Sequence, residues 1–179
     1  MIYKWEKIFF FIRSANGQVI EQLVDYIKNK HKNENIKLYC LIQKSSVKSF
    51  NEKYPSIKCI ESEDGFFKYS VLKNNKELLH KLNDFQFDEL YIPSSYGDYP
   101  DFNEVFLICS KIKNDKTILY NCYGETVEKK LNFAYIWIDK NLGEAIYFFK
   151  VLFALIGISL IYLVCYPYYF VKRKLFDNI

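Results

Sequence analysis

A chain of 179 residues, 50% hydrophobic and 26% charged, carries enough apolar side chains for one domain with a real core. It is too short for two such domains plus a membrane segment, and its composition excludes a disordered chain. The formal charge of +4 is unevenly placed: residues 1–144 hold 21 Lys+Arg against 20 Asp+Glu, and the surplus falls on Lys150, Lys172, Arg173 and Lys174. The near-neutral part displays no basic stripe of the kind a nucleic-acid footprint requires, so nucleic acid is not an expected partner.

Five apolar runs of strand length recur along the chain. The first, Lys7-Ile-Phe-Phe-Phe-Ile12, enters the turn Arg13-Ser-Ala-Asn-Gly17. Val19, Ile20, Leu23, Val24 and Ile27 then repeat at three- and four-residue steps, the signature of one buried helical face. The second run, Ile36 to Ile42, is followed by Ser45-Ser46 and a short helix that Pro55 stops. A third, Ile57 to Ile60, ends in the acidic turn Glu61-Ser-Glu-Asp-Gly65. One long helical stretch is expected next, with Leu72, Leu78, Leu79 and Leu82 as its apolar face.

Phe87 to Ile92 reads as the fourth strand and runs into the turn-rich loop Pro93-Ser-Ser-Tyr-Gly-Asp-Tyr-Pro100. Phe102, Val105, Phe106 and Cys109 mark another helix, and Lys116 to Asn121 the fifth strand, closed by Cys122-Tyr-Gly-Glu125. Strands alternating with helices build βαβ units, and nearly continuous apolar strands fit a sheet covered on both sides. The expectation is an α/β, Rossmann-like, doubly wound domain with a mostly parallel five-stranded sheet over residues 1–130. An amphipathic connector over 131–150, a membrane segment over 151–171 and a basic tail over 172–179 follow it.

Residues 151–171 contain no charge, and about 20 apolar residues suffice to span a bilayer. Tyr162, Tyr166, Tyr168 and Tyr169 suit the interfacial belt, and Lys172-Arg-Lys174 suits lipid head groups. Membrane lipid is therefore an expected partner. Two arrangements stay open: a single crossing, or a re-entrant segment broken at Pro167 with both ends in the cytosol. No secretory signal opens the chain, since Arg13 ends the short run Ile8 to Ile12 without a small-residue cleavage site. The expectation is a membrane protein whose globular domain faces the cytoplasm.

The five cysteines include no C-x-x-C pair, and with two histidines they supply no zinc ligand set; buried reduced thiols, no metal and no cofactor are expected. Ligands of open α/β sheets bind beyond the carboxyl ends of the strands. Arg13, Ser14, Asn16 and Gly17 follow the first strand and open a helix, where free N–H groups favour an anion and where Ser or Asn equally serves as a plain cap. Ser94, Ser95 and Tyr96 follow the fourth strand as a sugar- or phosphate-contacting loop or an ordinary turn. Glu125 follows the fifth, and Asp98 and Asp101 are further loop carboxylates able to act as a base. His31 and His80 lack a nucleophile motif, so a Ser–His–Asp arrangement has no support.

The order of Ile8–Arg13, Asn16-Gly17, Ile36–Ile42 and Phe87-Asp-Glu-Leu-Tyr-Ile92 resembles the N-terminal, acceptor-side half of GT-B glycosyltransferases, the lipopolysaccharide heptosyltransferases of glycosyltransferase family 9 above all. The resemblance covers residues 7–125. It implies work in surface glycan or glycolipid assembly, a sugar or lipid-linked sugar as ligand, and a second glycosyltransferase subunit that binds the donor. Two departures stand out. Gln18 occupies the position of the family's acidic base, and an amide cannot take a proton from a hydroxyl. A membrane segment stands where the donor-binding half would follow. The alternative expectation is a non-catalytic Rossmann-like module that recruits partners to the membrane.

Overall fold

The computed structural model describes residues 6–176. Its strands are β1 (Lys7–Ile12), β2 (Ile36–Gln43), β3 (Lys58–Ser62), β4 (Phe87–Pro93), β5 (Asn114–Tyr120) and β6 (Thr126–Glu128). Its helices are α1 (Gly17–Lys30), α2 (Val47–Lys53), α3 (Tyr69–Asn74), α4 (Lys76–Asn83), α5 (Asn103–Cys109) and α6 (Phe133–Phe176). One sheet holds all six strands in the order β3-β2-β1-β4-β5-β6. Every pair is parallel except β5 with β6. The chain builds outward from β1 to β3, returns, and lays β4 against the other flank of β1. The strand order therefore reverses between β1 and β4.

The run of three phenylalanines in β1 makes sense in this setting. Successive side chains of a strand point to opposite faces. Phe9 and Phe11 enter one core with Leu38, Cys40 and Ile42 of β2, beneath Val19, Ile20, Leu23 and Ile27 of α1 and Phe50 of α2. Phe10 and Ile12 enter the other with Leu90 and Ile92 of β4, covered by Leu72, Leu78 and Leu82 of α3 and α4 and by residues 105–109 of α5. Both faces are dry, so both must be apolar. The doubly wound α/β arrangement expected from the alternation is the one observed.

Three details differ from the sequence reading. β6 is a sixth strand; its three residues are all exposed, so it carries no apolar pattern, and it is held only by its hairpin with β5. The helical stretch after β3 is two helices. Asn75 leaves the helical region at φ −95°, ψ 85°, and its Oδ1 accepts from Leu78 N at 3.0 Å, which ends α3 and starts α4. Finally, α6 begins at Phe133, so helix runs through most of the expected connector and on through Pro167.

The chain divides into two units after Trp137. Within the first, the opening turn of α6 joins the core: Ile136 is buried, and the rings of Tyr69 and Phe133 meet edge-on at 5.3 Å. Within the second, α6 carries a 29-residue stretch, Ala145–Arg173, with mean hydropathy 2.4 and no residue of its most apolar window buried. At 1.5 Å per residue that is roughly 40 Å of helix, long enough to cross a hydrocarbon core of about 30 Å. The hydroxyl of Ser159 donates to Leu155 O at 2.9 Å, so it needs no outside partner. Tyr162, Tyr166 and Phe170 stack along one side at four-residue steps.

Candidate functional site

The loops after β1 and β4 meet where the strand order reverses, the place where open α/β sheets leave a crevice. Arg13 N donates to Leu41 O at 2.9 Å, extending the pairing with β2 past the end of β1. Ser14 Oγ then reaches across to Pro93 O at 2.8 Å, and Asn16 N donates to Ser95 Oγ at 2.8 Å. Two hydroxyls thus tie the β1 loop to the β4 loop. The crevice mouth is stitched shut on that line.

What remains open lies beside it. A cavity of about 590 Å³ is bounded by Arg13, Ser14 and Ala15 after β1, Gln43 at the end of β2, Phe66, Phe67 and Lys68 ahead of α3, and residues 100–102, 104 and 105 at the start of α5. That volume is of the size that holds a small molecule. Arg13 is half-buried and its guanidinium donates to Ser46 Oγ at 3.0 Å, which fixes the side chain at the cavity wall. Glu104 accepts from Tyr69 N at 2.8 Å and so holds the start of α3 against α5. Gln43 Nε2 donates to Gly65 O at 3.3 Å, while its Oε1 is buried without a hydrogen-bond partner among the described residues. A buried acceptor left unmade costs free energy.

Aromatic rings complete the wall. Phe66 is almost fully exposed at 91%, an unusual position for so large an apolar side chain, and Phe67 and Phe102 stand beside it. Asp101 has φ 58°, the left-handed region that Asp tolerates better than most residues. This conformation turns the chain at the cavity rim. Cationic, anionic, amide and aromatic groups therefore converge on one concavity, the donor and acceptor mixture that a polyhydroxylated or phosphorylated molecule can use.

The eight residues singled out from sequence divide accordingly. Arg13 and Ser14 line the cavity. Asn16 caps α1, its Oδ1 accepting from Val19 N at 3.0 Å, and Gly17 is the exposed first residue of that helix. Ser94 is fully buried; its hydroxyl donates to Asp98 O at 2.7 Å and accepts from Tyr96 N at 3.1 Å, closing the turn. Ser95 receives Asn16, and Tyr96 projects into solvent at 61% exposure. Glu125 accepts from Asn121 Nδ2 at 2.7 Å and belongs to the turn after β5. Asp101 borders the cavity; Asp98 and Gln18 do not.

Sequence reasoning missed Gln43, Phe66, Phe67, Lys68 and Glu104. The pair Phe66-Phe67, directly after the turn glycine Gly65 and outside any periodic segment, was the signal available. Asn121 was also underrated. It is buried, and its amide makes four bonds: Nδ2 to Gly97 O at 3.2 Å and to Glu125, and Oδ1 from Tyr123 N and Glu125 N, each at 3.0 Å. It sets the geometry of the β4 and β5 loops together.

The thiols are free, with Cys40 and Cys109 buried and pushed up by desolvation, as inert core cysteines should be. No group of metal-binding side chains occurs among the described residues. The fold and site thus define a class, a Rossmann-like α/β domain followed by one apolar helix long enough to cross a membrane. Compared with protein-family models, with curated proteins and with solved structures, the chain matches none.

Proposed function

We propose that this protein is a membrane-tied binding domain of surface glycan or glycolipid assembly. It holds a sugar or lipid-linked sugar in the cavity beside Arg13 and works with a separate glycosyltransferase subunit that binds the donor. The domain lies on the cytoplasmic side, and α6 enters the bilayer. The observation that carries the reading is the cavity itself. It sits at the carboxyl ends of β1 and β2 and presents a guanidinium held by Ser46 beside the exposed ring of Phe66. Aromatic faces suit the apolar faces of sugar rings, and Arg13 and Lys68 suit a phosphate. The order of motifs over residues 7–125 supports the glycosyltransferase connection, and Gln18 supports a role in holding rather than transforming the ligand.

The test is genetic and chemical. Deleting the gene should change the surface glycan or the pool of lipid-linked sugars. Wild-type protein should restore it, and Arg13→Ala or Phe102→Ala protein, present in the membrane at equal amount, should not. An unchanged glycan profile in the deletion strain overturns the reading.

A second reading is a non-catalytic module that recruits partners to the membrane. One observation favours it: Ser14, Asn16, Ser94, Ser95 and Glu125 all spend their polar groups on internal hydrogen bonds. Restoration of the glycan by the Arg13→Ala protein would select this reading.

A further inference from the structure

Several lysines of the domain pair with carboxylates: Lys7 with Glu34 at 2.9 Å, Lys30 with Glu89 at 2.9 Å, Lys53 with Glu21 and Lys81 with Glu77 each at 2.7 Å. Others do not, and what sets Lys111, Lys113, Lys116, Lys129 and Lys130 apart among these is that they border one depression. All five are exposed, and none stands in an ion pair among the described residues.

They are scattered in sequence and gathered by the hairpin of β5 and β6. The register pairs Ile118 with Glu128, and Lys129 N donates to Thr117 O at 2.9 Å. The next step of that register brings Lys130 beside Lys116. Like charges in such a position repel unless an anion lies between them. Together the five lysines border an open depression of about 480 Å³ at the amino end of β5, with Asp115 and Glu128 as its only carboxylates. Asp115 is already engaged by Gln86 Nε2 at 2.7 Å. Two of the lysines are held by rings: Lys111 Nζ lies 3.6 Å from the centroid of Phe133, the first residue of α6, and Lys129 Nζ lies 4.5 Å from that of Phe106.

We infer that this five-lysine depression is a binding surface for the phosphate-bearing head groups of anionic lipids. The inference rests on the reading that α6 enters a bilayer. Chain continuity supports a lipid source: Lys130 comes three positions before α6 begins, and the apolar stretch starts at Ala145 of the same helix. That connection is roughly 20 Å of helix, about two Debye lengths, so the lysines feel an anionic bilayer surface when the domain settles onto it. Near such a surface each lysine multiplies local partition about fivefold. On the proposed cytoplasmic placement of the domain, the leaflet it meets is the one that carries acidic lipid.

The experiment uses the full chain in bilayer discs of phosphatidylcholine alone and of phosphatidylcholine mixed with phosphatidylglycerol. Lysines are acylated with a water-soluble amine reagent, and each site is quantified by mass spectrometry. Lys111, Lys113, Lys116, Lys129 and Lys130 should each react about fivefold more slowly in the anionic discs. Lys48 and Lys73 should react equally in both, and high salt should abolish the difference. In the triple variant Lys113→Gln, Lys116→Gln, Lys130→Gln, the protection of Lys111 and Lys129 should disappear while disc incorporation is unchanged. Equal acylation in both discs overturns the inference alone. Equal protection by inorganic phosphate or an RNA oligonucleotide in phosphatidylcholine discs also overturns it, in favour of a free anion or nucleic acid. Failure of the chain to enter either disc overturns the membrane reading as well.

Discussion

Replacing Asn121 by alanine removes the four hydrogen bonds that its amide makes to Gly97, Tyr123 and Glu125. A net bond contributes about 1 kcal/mol, and the N–H groups of Tyr123 and Glu125, in an exposed turn, recover part of that from water. The carbonyl of Gly97 and the anchorage between the β4 and β5 loops are lost outright. The expected cost is therefore about 2–3 kcal/mol, or a melting temperature lower by roughly 8 °C for a unit of this size. Scanning calorimetry of the detergent-solubilised chain measures it. Asn121→Asp separates the two halves of the amide. It keeps the acceptor for Tyr123 and Glu125, loses both donations, and at neutral pH sets a carboxylate against Glu125. Its loss should shrink as the pH is lowered toward 4, because protonation relieves the repulsion and restores a donor, whereas the alanine loss should not. A fall of less than about 2 °C for Asn121→Ala, or equal pH dependence of the two variants, refutes this account of the loop.

Three further expectations follow from the same geometry. Asn16→Ala should cost about 1 kcal/mol of stability through loss of the α1 cap, with ligand affinity in the Arg13 cavity unchanged; a drop in affinity larger than the drop in stability would move Asn16 into the site. Burial raises the carboxyl of Glu89, and hydrogen bonds from Tyr91 and Lys30 more than offset it, leaving it below its ordinary value. Its stabilisation is thus complete above the unfolded value near 4.3 and is lost as pH falls through the folded one, so melting temperature should drop on acidification below about pH 5 and Glu89→Gln should flatten that slope. Cys165, exposed on the apolar part of α6, should resist a membrane-impermeant maleimide in vesicles and react once detergent dissolves the bilayer; labelling in intact vesicles would place the residue outside the lipid.

The fold was legible because the strongest signals along the chain are local and repeated. β1, β2, β4 and α1 each carry an apolar pattern that needs no knowledge of the partner, and Gly17, Pro55 and Gly65 punctuate them. β6 was invisible for the opposite reason. Thr126-Val-Glu128 is exposed, and only its backbone pairing with β5 makes it a strand. The break at Asn75 was readable in principle, since Asn followed by Glu77 and an apolar pair is a capping pattern. The heptad-like spacing of Leu72, Leu78, Leu79 and Leu82 outweighed it in a reading by periodicity.

The site was half legible, and the reason is physical. Strand ends can be named from sequence, and Arg13 and Ser14, named that way, line the cavity. What a polar side chain does at a strand end depends on how near the next loop comes. Ser95 is bonded to Asn16 across a sequence separation of 79 residues, and Ser14 to Pro93 across the same distance, so hydroxyls that looked available for a ligand are consumed by the crossover itself. The same long-range pairing explains why the basic depression escaped notice. A near-neutral count over residues 1–144 averages paired lysines with unpaired ones, and only the hairpin register brings Lys116 and Lys130 together. Charge is summed along a chain but acts through space, and so a domain with almost no net charge has room for one face that needs an anion.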